Sequence, residues 1–463
     1  MGYATTNPFT NEVLATFQDL SDEELERLVG RAQATFESWR TTTFEERKMS
    51  SKRAAAILRE RRDELARLLT LEMGKLYRES LDEVELTAQI IDYYAENAET
   101  FLKARHLDTA HPDEGDAVVV NEPIGVLLGI QPWNFPYYQA ARFAAPNLMA
   151  GNVVLVKHAS IVPQSAVALE RLYLEAGAPP GAYTNLFATK EQLTRLIDDR
   201  RIRGVALTGS DATGAIVAAR AGRNVKKTTL ELGGSDPLLV LEDADLDKAV
   251  AWAVWGRINN GGQCCVASKR IIVVEGLADT FLQRFEDALG RLVAGDPFAE
   301  GTTLPPMSSQ SAADLLKSQV ERAVEHGATA VPLGAPVPSK GAFVQPTVLL
   351  DVEKDNPVYD EELFGPVALF FRAKDEDDAV RIANDSCYGL GGSVFTSDTA
   401  HGVEVARRIE TGMVFVNHPT WTKADLPFGG CKSSGYGREL WASGIHEFVN
   451  EKLINVVPID APP

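Results

Sequence analysis

The 463-residue sequence is poor in cysteine, with four residues at Cys264, Cys265, Cys387 and Cys431. Four cysteines in so long a chain do not make a disulfide framework. None of them forms a C-x-x-C pair, so a structural zinc site is not expected, and we predict that the protein needs no metal.

The sequence also lacks any apolar run long enough to cross a bilayer. Its first residues contain no basic stretch followed by an apolar one, so we expect no secretory signal. Basic residues are outnumbered, with 46 lysines and arginines against 65 acidic residues and a net charge of −19. Because phosphate binding needs a basic face, nucleic acid is a disfavoured partner. We therefore expect a cytoplasmic protein that does not bind membranes.

The rest of the composition is that of a globular protein, with 45% apolar and 24% charged residues. The length predicts two or three domains. Residues 21–105 are predicted to be helical, since Ser21 with Glu24 and Thr43 with Glu46 have the spacing of capping boxes. Apolar residues at helical spacing follow both pairs.

Beyond the helical region, short apolar runs alternate with helix-like stretches, which predicts βαβ units and parallel sheets. The break at 233–236 divides this pattern into two open-sheet α/β lobes. The strands predicted in the first lobe are 125–131, 152–156, 183–187, 204–208 and 228–232. Those predicted in the second lobe are 238–241, 270–274, 348–350, 368–371, 393–395 and 413–416.

Cys265 ends the run NGGQCC at 260–265. A nucleophilic thiol needs nearby amides or positive charge, and the two glycines let backbone approach the sulfur. The alternative is a tight turn in which two small residues are only packed. Cys264 is then a structural residue, and a redox pair with Cys265 is a minor alternative.

Two polar residues follow predicted strands and are candidates to act with the thiol. Glu231 precedes two glycines, and its carboxylate would activate the water that releases a covalently held product. Asn134 lies between Pro132 and Pro136 and would donate its amide to an oxyanion. The alternatives are a salt bridge at the strand end for Glu231 and a helix cap for Asn134.

A nucleotide site is indicated less directly, because the chain has no G-x-G-x-x-G fingerprint. Gly209 and Gly214 have the spacing of P-loop glycines, but Ala215 stands where lysine is required. Ser210 still begins a predicted helix, whose amino terminus would bind a pyrophosphate.

Lys157 follows a buried strand at the sheet edge where ligands bind in open α/β folds. Ser160 stands where an acidic residue would select NAD through the ribose 2′-hydroxyl. A neutral hydroxyl there, with Lys157 beside it, favours the 2′-phosphate of NADP, although NAD remains an alternative. A surface lysine without a ligand is the other interpretation of Lys157.

Taken together, these segments resemble the aldehyde dehydrogenase superfamily. The resemblance covers nearly the whole chain, from the amino-terminal helices to the run PFGGCKSSG at 427–435. The resemblance implies that Cys265 is the nucleophile, Glu231 the general base and Asn134 the oxyanion donor. It implies binding of NADP, or NAD, through Trp133, Lys157, Ser160, Gly209, Ser210, Gly214, Leu232, Glu362 and Phe364.

The resemblance also implies an architecture of two α/β lobes and a small arm. The Rossmann-like cofactor domain would comprise 1–104 and 124–233, and the catalytic domain 234–448. The oligomerisation arm would comprise 105–123 and 449–463, so a homodimer or homotetramer is expected.

Within the superfamily, the runs KHAS at 157–160, LTGS at 207–210 and LGGSDP at 232–237 are most similar to bacterial succinate-semialdehyde dehydrogenases. The implied reaction is oxidation of succinate semialdehyde, or a similar carboxylated aldehyde, through a thiohemiacetal and a thioester. Broad specificity for other aldehydes is the alternative.

Arg142 lies eight residues after Asn134, two turns along a predicted helix, so both would face the substrate. Its guanidinium would clamp the distal carboxylate, unless it forms an ion pair on the helix surface instead. Tyr138, Thr422 and Lys423 are the further candidate contacts with the substrate.

Two other classes of protein remain open from the residues alone. A cysteine hydrolase would need a histidine partner, and no histidine occurs in the segments around Cys265 or Glu231. A non-catalytic binding protein on the same fold is the second alternative, because fold does not dictate function. The intact thiol, carboxylate and amide argue against it.

Overall fold

The computed structural model describes residues 2–108 and 115–460. Helices occur along the whole of this described chain. In chain order they are α1 (Asp22–Trp39), α2 (Phe44–Glu60), α3 (Arg62–Met73), α4 (Tyr77–Phe101), α5 (Pro136–Ala150), α6 (Pro163–Glu175), α7 (Lys190–Asp198), α8 (Asp211–Arg223), α9 (Leu246–Ile258), α10 (Glu275–Leu289), α11 (Gln310–Glu325), α12 (Glu376–Asn384), α13 (Thr399–Arg407) and α14 (Trp441–His446).

The strands of the described residues alternate with these helices. In chain order they are β1 (Tyr3–Asn7), β2 (Glu12–Phe17), β3 (Arg105–His106), β4 (Asp116–Pro123), β5 (Val126–Ile130), β6 (Val153–Lys157), β7 (Tyr183–Asn185), β8 (Ile202–Thr208), β9 (Lys227–Glu231), β10 (Asp236–Val240), β11 (Ser268–Val274), β12 (Thr329–Pro332), β13 (Thr347–Leu350), β14 (Val367–Ala373), β15 (Tyr388–Gly389), β16 (Ser393–Phe395), β17 (Phe415–Val416), β18 (Cys431–Lys432), β19 (Gly435–Tyr436) and β20 (Val449–Val456).

The first large sheet has the order β19-β9-β8-β5-β6-β7. Its last five strands are parallel, and β19 pairs antiparallel with β9. The parallel strands are rich in Val, Leu and Ile, because helices cover both faces of a parallel sheet and bury the side chains on both sides. The carboxyl ends of β5, β6, β8 and β9 therefore meet at one edge of the sheet.

The second large sheet has the order β12-β13-β14-β11-β10-β16-β17. Its strands are parallel except for β12, which pairs antiparallel with β13 at the sheet edge. The prediction of two open-sheet α/β lobes is confirmed. Strand β19, from the far end of the chain, joins the first sheet and so ties the two lobes together.

The amino-terminal helices pack on the first sheet, with α4 lying against both α2 and α5. Both predicted capping boxes are present, because the hydroxyls of Ser21 and Thr43 accept from the amides of Glu24 and Glu46 at 3.2 Å. Among the described residues, the helices are too short or too polar to cross a bilayer.

A third, antiparallel sheet has the order β20-β4-β3. It contains the described part of the two segments predicted to form an oligomerisation arm, and residues 109–114 and 461–463 of those segments lie outside the described residues. The side chains of β20 are largely exposed in the single chain.

Some boundaries differ from those predicted. The strand predicted at 183–187 ends at Asn185, and the strand predicted at 413–416 is reduced to Phe415–Val416. Element ends are set by local hydrogen bonds, which the apolar pattern does not encode.

Candidate active site

The residues predicted from separate motifs lie at one edge of the first sheet. Asn134 follows β5, Lys157 ends β6, Ser210 follows β8 and Glu231 ends β9. These four strands are parallel, so their carboxyl ends share the edge at which open α/β sheets bind ligands. Cys265 reaches the same region from the second lobe, in the connection between α9 and β11.

The loop before Cys265 has a tightly wound backbone. Asn260, Gly261 and Gly262 have φ angles of 56°, 65° and 77°. A β-carbon on Gly262 would lie 2.5 Å from the carbonyl oxygen of Gly365. Glycine is therefore required at this position by both conformation and space. The loop is followed by Cys264, which is buried, and by the partly exposed Cys265.

Asn134 is held against this loop by hydrogen bonds at both ends of its side chain. Its Nδ2 donates to the carbonyl oxygen of Gln263 at 3.1 Å, and its Oδ1 accepts from Gln139 at 3.1 Å. The side chain of Asn260 donates to the carbonyl oxygens of Asn134 and Gln263. The amide is thus fixed beside the segment that carries Cys265.

Glu231 is 2% exposed, and neither carboxyl oxygen has a hydrogen-bond partner among the described residues. Burial raises the pKa of Glu231 well above its usual range, while Arg142 acts in the opposite direction. A β-carbon on Gly429 would lie 2.9 Å from Oε1. Glycine at that position leaves the carboxyl its space, and the unpartnered oxygens are free to accept from water.

The thiol of Cys265 is also shifted away from its ionised form. Its contact with Cys264 and its burial raise the pKa of Cys265, while Arg142 and Lys269 lower it. The resting sulfur is therefore protonated near neutral pH, and it needs a base or an added positive charge to react.

Three of the residues predicted to bind the cofactor, Trp133, Glu362 and Phe364, come together near Gly234. The rings of Trp133 and Phe364 meet edge to face with centroids 5.6 Å apart. Glu362 accepts from the amide of Gly234 at 3.1 Å and pairs with Lys269 at 3.0 Å. A β-carbon on Gly233 would lie 2.5 Å from Glu362 Oε2, so the glycine permits this approach.

The helix expected to hold a pyrophosphate begins where it was predicted, directly after Ser210. The Ser210 hydroxyl caps helix α8 by accepting from the amide of Thr213 at 3.3 Å. Beside it, a β-carbon on Gly209 would meet only Leu207, at 3.8 Å. The space in front of this helix end is therefore open.

Gly214 has a different surrounding from the one its P-loop spacing suggested. A β-carbon there would lie 2.5 Å from the Leu232 side chain, so Gly214 lets α8 pack on the strand end. The two residues are packed on each other, and the contact of Gly214 and Leu232 with the cofactor stays a prediction.

Lys157 and Ser160 lie near the amino-terminal strand β1. The backbone oxygen of Ser160 accepts from the amide of Ala4 at 3.0 Å, and the ammonium of Lys157 lies 5.6 Å from the ring centre of Tyr3. Burial and the nearby Lys190 lower the pKa of Lys157. Among the described residues Lys157 has no ion pair, so its charge is available to an anionic ligand.

A cleft of about 1140 Å³ opens onto Cys265. Tyr138, Thr422 and Lys423, three of the predicted substrate contacts, line it together with Phe135. The hydroxyls of Tyr138 and Thr422 lie 3.3 Å apart. The cleft therefore offers aromatic walls, two adjacent hydroxyls and an exposed ammonium.

Arg142 does not line this cleft, contrary to the prediction of a free guanidinium facing the substrate. It is 1% exposed and forms an ion pair with Glu439, a partner that no sequence pattern indicated. Its Nη1 donates to the Tyr138 hydroxyl at 2.8 Å. Arg142 thus lies one layer behind the cleft, on the far side of Tyr138.

Sequence reasoning assigned no role to several residues that shape the site. Glu439 balances the charge of Arg142, and Asn260 joins the segments of Asn134 and Cys265. Lys269 donates to the carbonyl oxygens of Cys264 and Cys265 at 2.8 Å each. Lys269 stands four residues after Cys265 at the start of β11, and that proximity was the one available signal.

Comparison with known proteins agrees with this geometry. The sequence matches the aldehyde dehydrogenase family over residues 1–454. It is 50% identical over 461 residues to a Deinococcus radiodurans protein named succinate-semialdehyde dehydrogenase (NADP+), covering 100% of this chain and 96% of that protein. A Mycobacterium ulcerans protein of the same name is 42% identical, covering 98% of this chain and 99% of the relative.

A solved structure gives the same result. The crystal structure of succinic semialdehyde dehydrogenase from Streptococcus pyogenes in complex with NADP+ superposes with a TM-score of 0.96 and 45% sequence identity. The match covers 98% of this chain and 100% of that chain. The chain belongs to the aldehyde dehydrogenase family, and the resemblance inferred from its motifs is confirmed.

Proposed function

We propose that this enzyme oxidises succinate semialdehyde, or a similar carboxylated aldehyde, to the acid with NADP as hydride acceptor. The observation that carries the proposal is the meeting of Asn134, Glu231 and the Cys265 loop at one sheet edge, beside a cleft that ends in polar groups. The names of the relatives from Deinococcus radiodurans, Mycobacterium ulcerans and Streptococcus pyogenes support the substrate and the cofactor.

The residues present fit a dinucleotide with a 2′-phosphate. The open helix end at Ser210 suits the pyrophosphate, because its free backbone amides and the helix dipole attract anions. Lys157, which has no ion pair among the described residues, and the uncharged Ser160 suit the 2′-phosphate. Glu362 and Phe364 would hold the nicotinamide ribose and ring. When bound, NADP supplies the carbon that accepts the hydride.

Catalysis begins when the Cys265 thiol gives its proton to water in the cleft and the thiolate sulfur forms a bond to the aldehyde carbon. The carbonyl oxygen becomes an oxyanion, and Asn134 Nδ2 with the Cys265 amide donates hydrogen bonds to it. One such donor is typically worth about 3 kcal/mol of transition-state stabilisation. As the hydride departs, the carbonyl re-forms and a thioester remains on Cys265.

Release of the product requires water, and Glu231 is the group that activates it. Its buried, unpartnered carboxylate takes a proton from water, and the resulting hydroxide adds to the thioester carbon. The carbon–sulfur bond then breaks, the acid departs and the thiolate is regenerated. Burial suits Glu231 to this work, since a carboxyl with a raised pKa is a stronger base near neutral pH.

The distal carboxylate of the substrate would bind at the polar part of the cleft. Tyr138 and Thr422 present their hydroxyls there, and Arg142 polarises the Tyr138 hydroxyl from behind. Lys423, which is exposed, would attract the carboxylate at the mouth. The carboxylate is thus recognised by hydroxyl donors, one of which accepts a hydrogen bond from the buried Arg142.

The proposal is tested by steady-state efficiencies for paired aldehydes that differ in one terminal carboxylate, such as succinate semialdehyde and butanal, with each nicotinamide cofactor. A higher kcat/KM for the carboxylated member and for NADP is expected. Equal efficiencies across the aldehydes would favour the broad-specificity alternative. Ester hydrolysis in the absence of nucleotide as the main activity would favour a cysteine hydrolase.

The proposal also covers the roles of the domains, the oligomeric state of the enzyme and its location in the cell. We propose that 1–104 with 124–233 binds the cofactor, 234–448 carries the nucleophile, and the β3, β4 and β20 sheet mediates a homodimer or homotetramer. The largely exposed side chains of β20 support an interface there. The free cysteines suit the reducing cytoplasm.

A further inference from the structure

Lys269 is the one cation that contacts both the nucleophile segment and the predicted nicotinamide pocket among the described residues. It is fully buried, at 0% exposure. Its ammonium donates to the carbonyl oxygens of Cys264 and Cys265 at 2.8 Å each, and it pairs with Glu362 Oε1 at 3.0 Å. The ammonium also lies 5.6 Å from the ring centre of Phe364.

These contacts use all three protons of the ammonium, which is therefore fully hydrogen-bonded. A buried charge persists only where its partners replace water, and removing one partner is strongly unfavourable. The positions of the three oxygens are consequently fixed relative to each other. Two belong to the backbone at the nucleophile, and the third belongs to the carboxylate expected to hold the nicotinamide ribose.

The glycines next to Lys269 show that three segments pack closely here: the one with Gly233 and Gly234, the one with Cys265 and the one with Glu362. A β-carbon on Gly234 would lie 2.6 Å from the carbonyl oxygen of Cys265. One on Gly233 would lie 2.5 Å from Glu362 Oε2, and the amide of Gly234 donates to Glu362 Oε1. Lys269 is the charged group at the centre of this close approach.

We propose that Lys269 is a positioning residue that couples the cofactor pocket to the nucleophile. Its ammonium sets the Glu362 carboxylate and the Cys265 backbone in one fixed relation, so that the nicotinamide is presented to the carbon bound to sulfur. The inference rests on the proposed function, because it assigns Glu362 to the nicotinamide ribose. No step of the chemistry requires Lys269 to lose or gain a proton.

Lys269 is also one of the titratable groups that act on the Cys265 thiol, and its positive charge lowers the pKa of that thiol. The others are Cys264, Arg142 and the phenol of Tyr138. Lys269 itself faces Glu362 and the buried Asp236, whose pKa burial raises to about 6. Loss of the lysine charge should therefore make the thiolate harder to form, and loss of the Glu362 charge should make it easier.

The test uses the full-length enzyme and two measurements that need no turnover. The first is the pH dependence of Cys265 alkylation by iodoacetamide, followed by peptide mass spectrometry. The second is the Kd for NADP from quenching of tryptophan fluorescence. Lys269→Met should move the alkylation profile to higher pH and weaken NADP binding about tenfold, since Glu362 loses a buried partner. Lys269→Arg should restore part of the NADP affinity.

Lys248→Met is the matched control, because Lys248 is an exposed lysine paired only with Asp245. It should change neither measurement. If Lys269→Met behaves like this control, or moves only one of the two measurements, the proposed coupling is wrong. A failure to oxidise any aldehyde would instead remove the proposed function, and the two results are distinguishable because alkylation and NADP binding are read without substrate.

Glu362→Gln tests the same relation from the other side and does not depend on Lys269 variants folding. It should shift Cys265 alkylation to lower pH, since the lysine charge is then no longer balanced. An unchanged profile would overturn the proposal. In the Glu362→Gln background, Lys269→Met should alter the Kd for NADP by less than about twofold, because residues acting through one contact are not additive.

Discussion

The side-chain amide of Asn134 is hydrogen-bonded to the carbonyl oxygen of Gln263, at 3.1 Å. Asn134 follows a strand of the first lobe, whereas Gln263 lies two residues before the candidate nucleophile in the second. The bond shows how the site is assembled. The proposed oxyanion donor and the candidate nucleophile are on different lobes, and their relative position is set by direct contact between the two loops.

Replacement of Asn134 by alanine should therefore affect the chemical step more than substrate binding. We expect Asn134→Ala to lower kcat about 10²- to 10³-fold, as loss of one oxyanion donor does. Steady-state kinetics with succinate semialdehyde would measure it. Asn147→Ala, which removes a buried asparagine of the same helix region, is the control, and an equal kcat loss there would point to folding rather than catalysis.

Cys265→Ala should abolish aldehyde oxidation while NADP still binds. We expect a loss of at least about 10⁴-fold in kcat, because the covalent route has no substitute. Turnover and NADP fluorescence titration would be measured side by side. Cys387→Ala, at an exposed cysteine, should retain activity. Substantial turnover by the Cys265 variant would reassign the nucleophile.

The raised pKa of Glu231 predicts a pH dependence with a definite direction. Burial favours the protonated carboxyl, so the ionised form that activates water increases as the pH rises. The acidic limb of kcat should therefore lie above the range of an ordinary glutamate. Its measurement is a kcat profile against pH, with the stability of the enzyme checked at each value.

Glu231→Gln should remove this limb and trap the acyl group on residue 265. Mass spectrometry of the variant during turnover would show the adduct. Glu170→Gln is the control, because burial also raises the pKa of Glu170 but that residue lies on helix α6 and does not line the cleft that opens onto Cys265. An unaltered profile in Glu231→Gln would assign the base elsewhere.

The strand ends could be predicted from the sequence, because buried parallel strands read as short apolar runs that stop at polar or glycine residues. Strand β9 ends at Glu231 and strand β6 at Lys157, each within one residue of the end predicted from the apolar runs 228–232 and 152–156. Once the strands are parallel, their ends must share an edge. Much of the candidate site follows from that geometry without any knowledge of side-chain packing.

The partners of buried charges could not be predicted in this way. A lysine at the start of a strand, such as Lys269, is normally expected at the surface. The sequence does not show that two carbonyl oxygens of the preceding loop and the distant Glu362 carboxylate surround its ammonium. Arg142 shows the same difficulty, since helical spacing placed its guanidinium at the substrate and gave no sign of its buried partner Glu439. Ion pairs between segments far apart in the chain depend on the packing of the lobes, which local patterns do not contain.

The choice between cofactors can be tested at Ser160. Ser160→Glu places a carboxylate near Lys157. The carboxylate would pair with the Lys157 ammonium and would repel the 2′-phosphate. The ratio of kcat/KM for NADP to that for NAD should fall at least about tenfold. Ser160→Ala is the matched control and removes the hydroxyl without adding charge. A ratio that stays constant in Ser160→Glu would separate this residue from cofactor selection.

Arg142 is expected to matter for stability as well as for substrate. Arg142→Met leaves Glu439 buried without its partner, which should cost about 3–5 kcal/mol of unfolding free energy. The double variant Arg142→Met with Glu439→Gln should recover much of that loss, since no buried charge is then unpaired. Urea denaturation would measure both.

The same pair of variants separates packing from recognition. If Arg142 supports carboxylate binding through the Tyr138 hydroxyl, the double variant should regain stability but still favour butanal over succinate semialdehyde relative to the parent enzyme. The ratio of kcat/KM for the two aldehydes is the measurement. A parental ratio in a stable double variant would confine Arg142 to a structural ion pair and leave carboxylate recognition to Lys423 and Thr422.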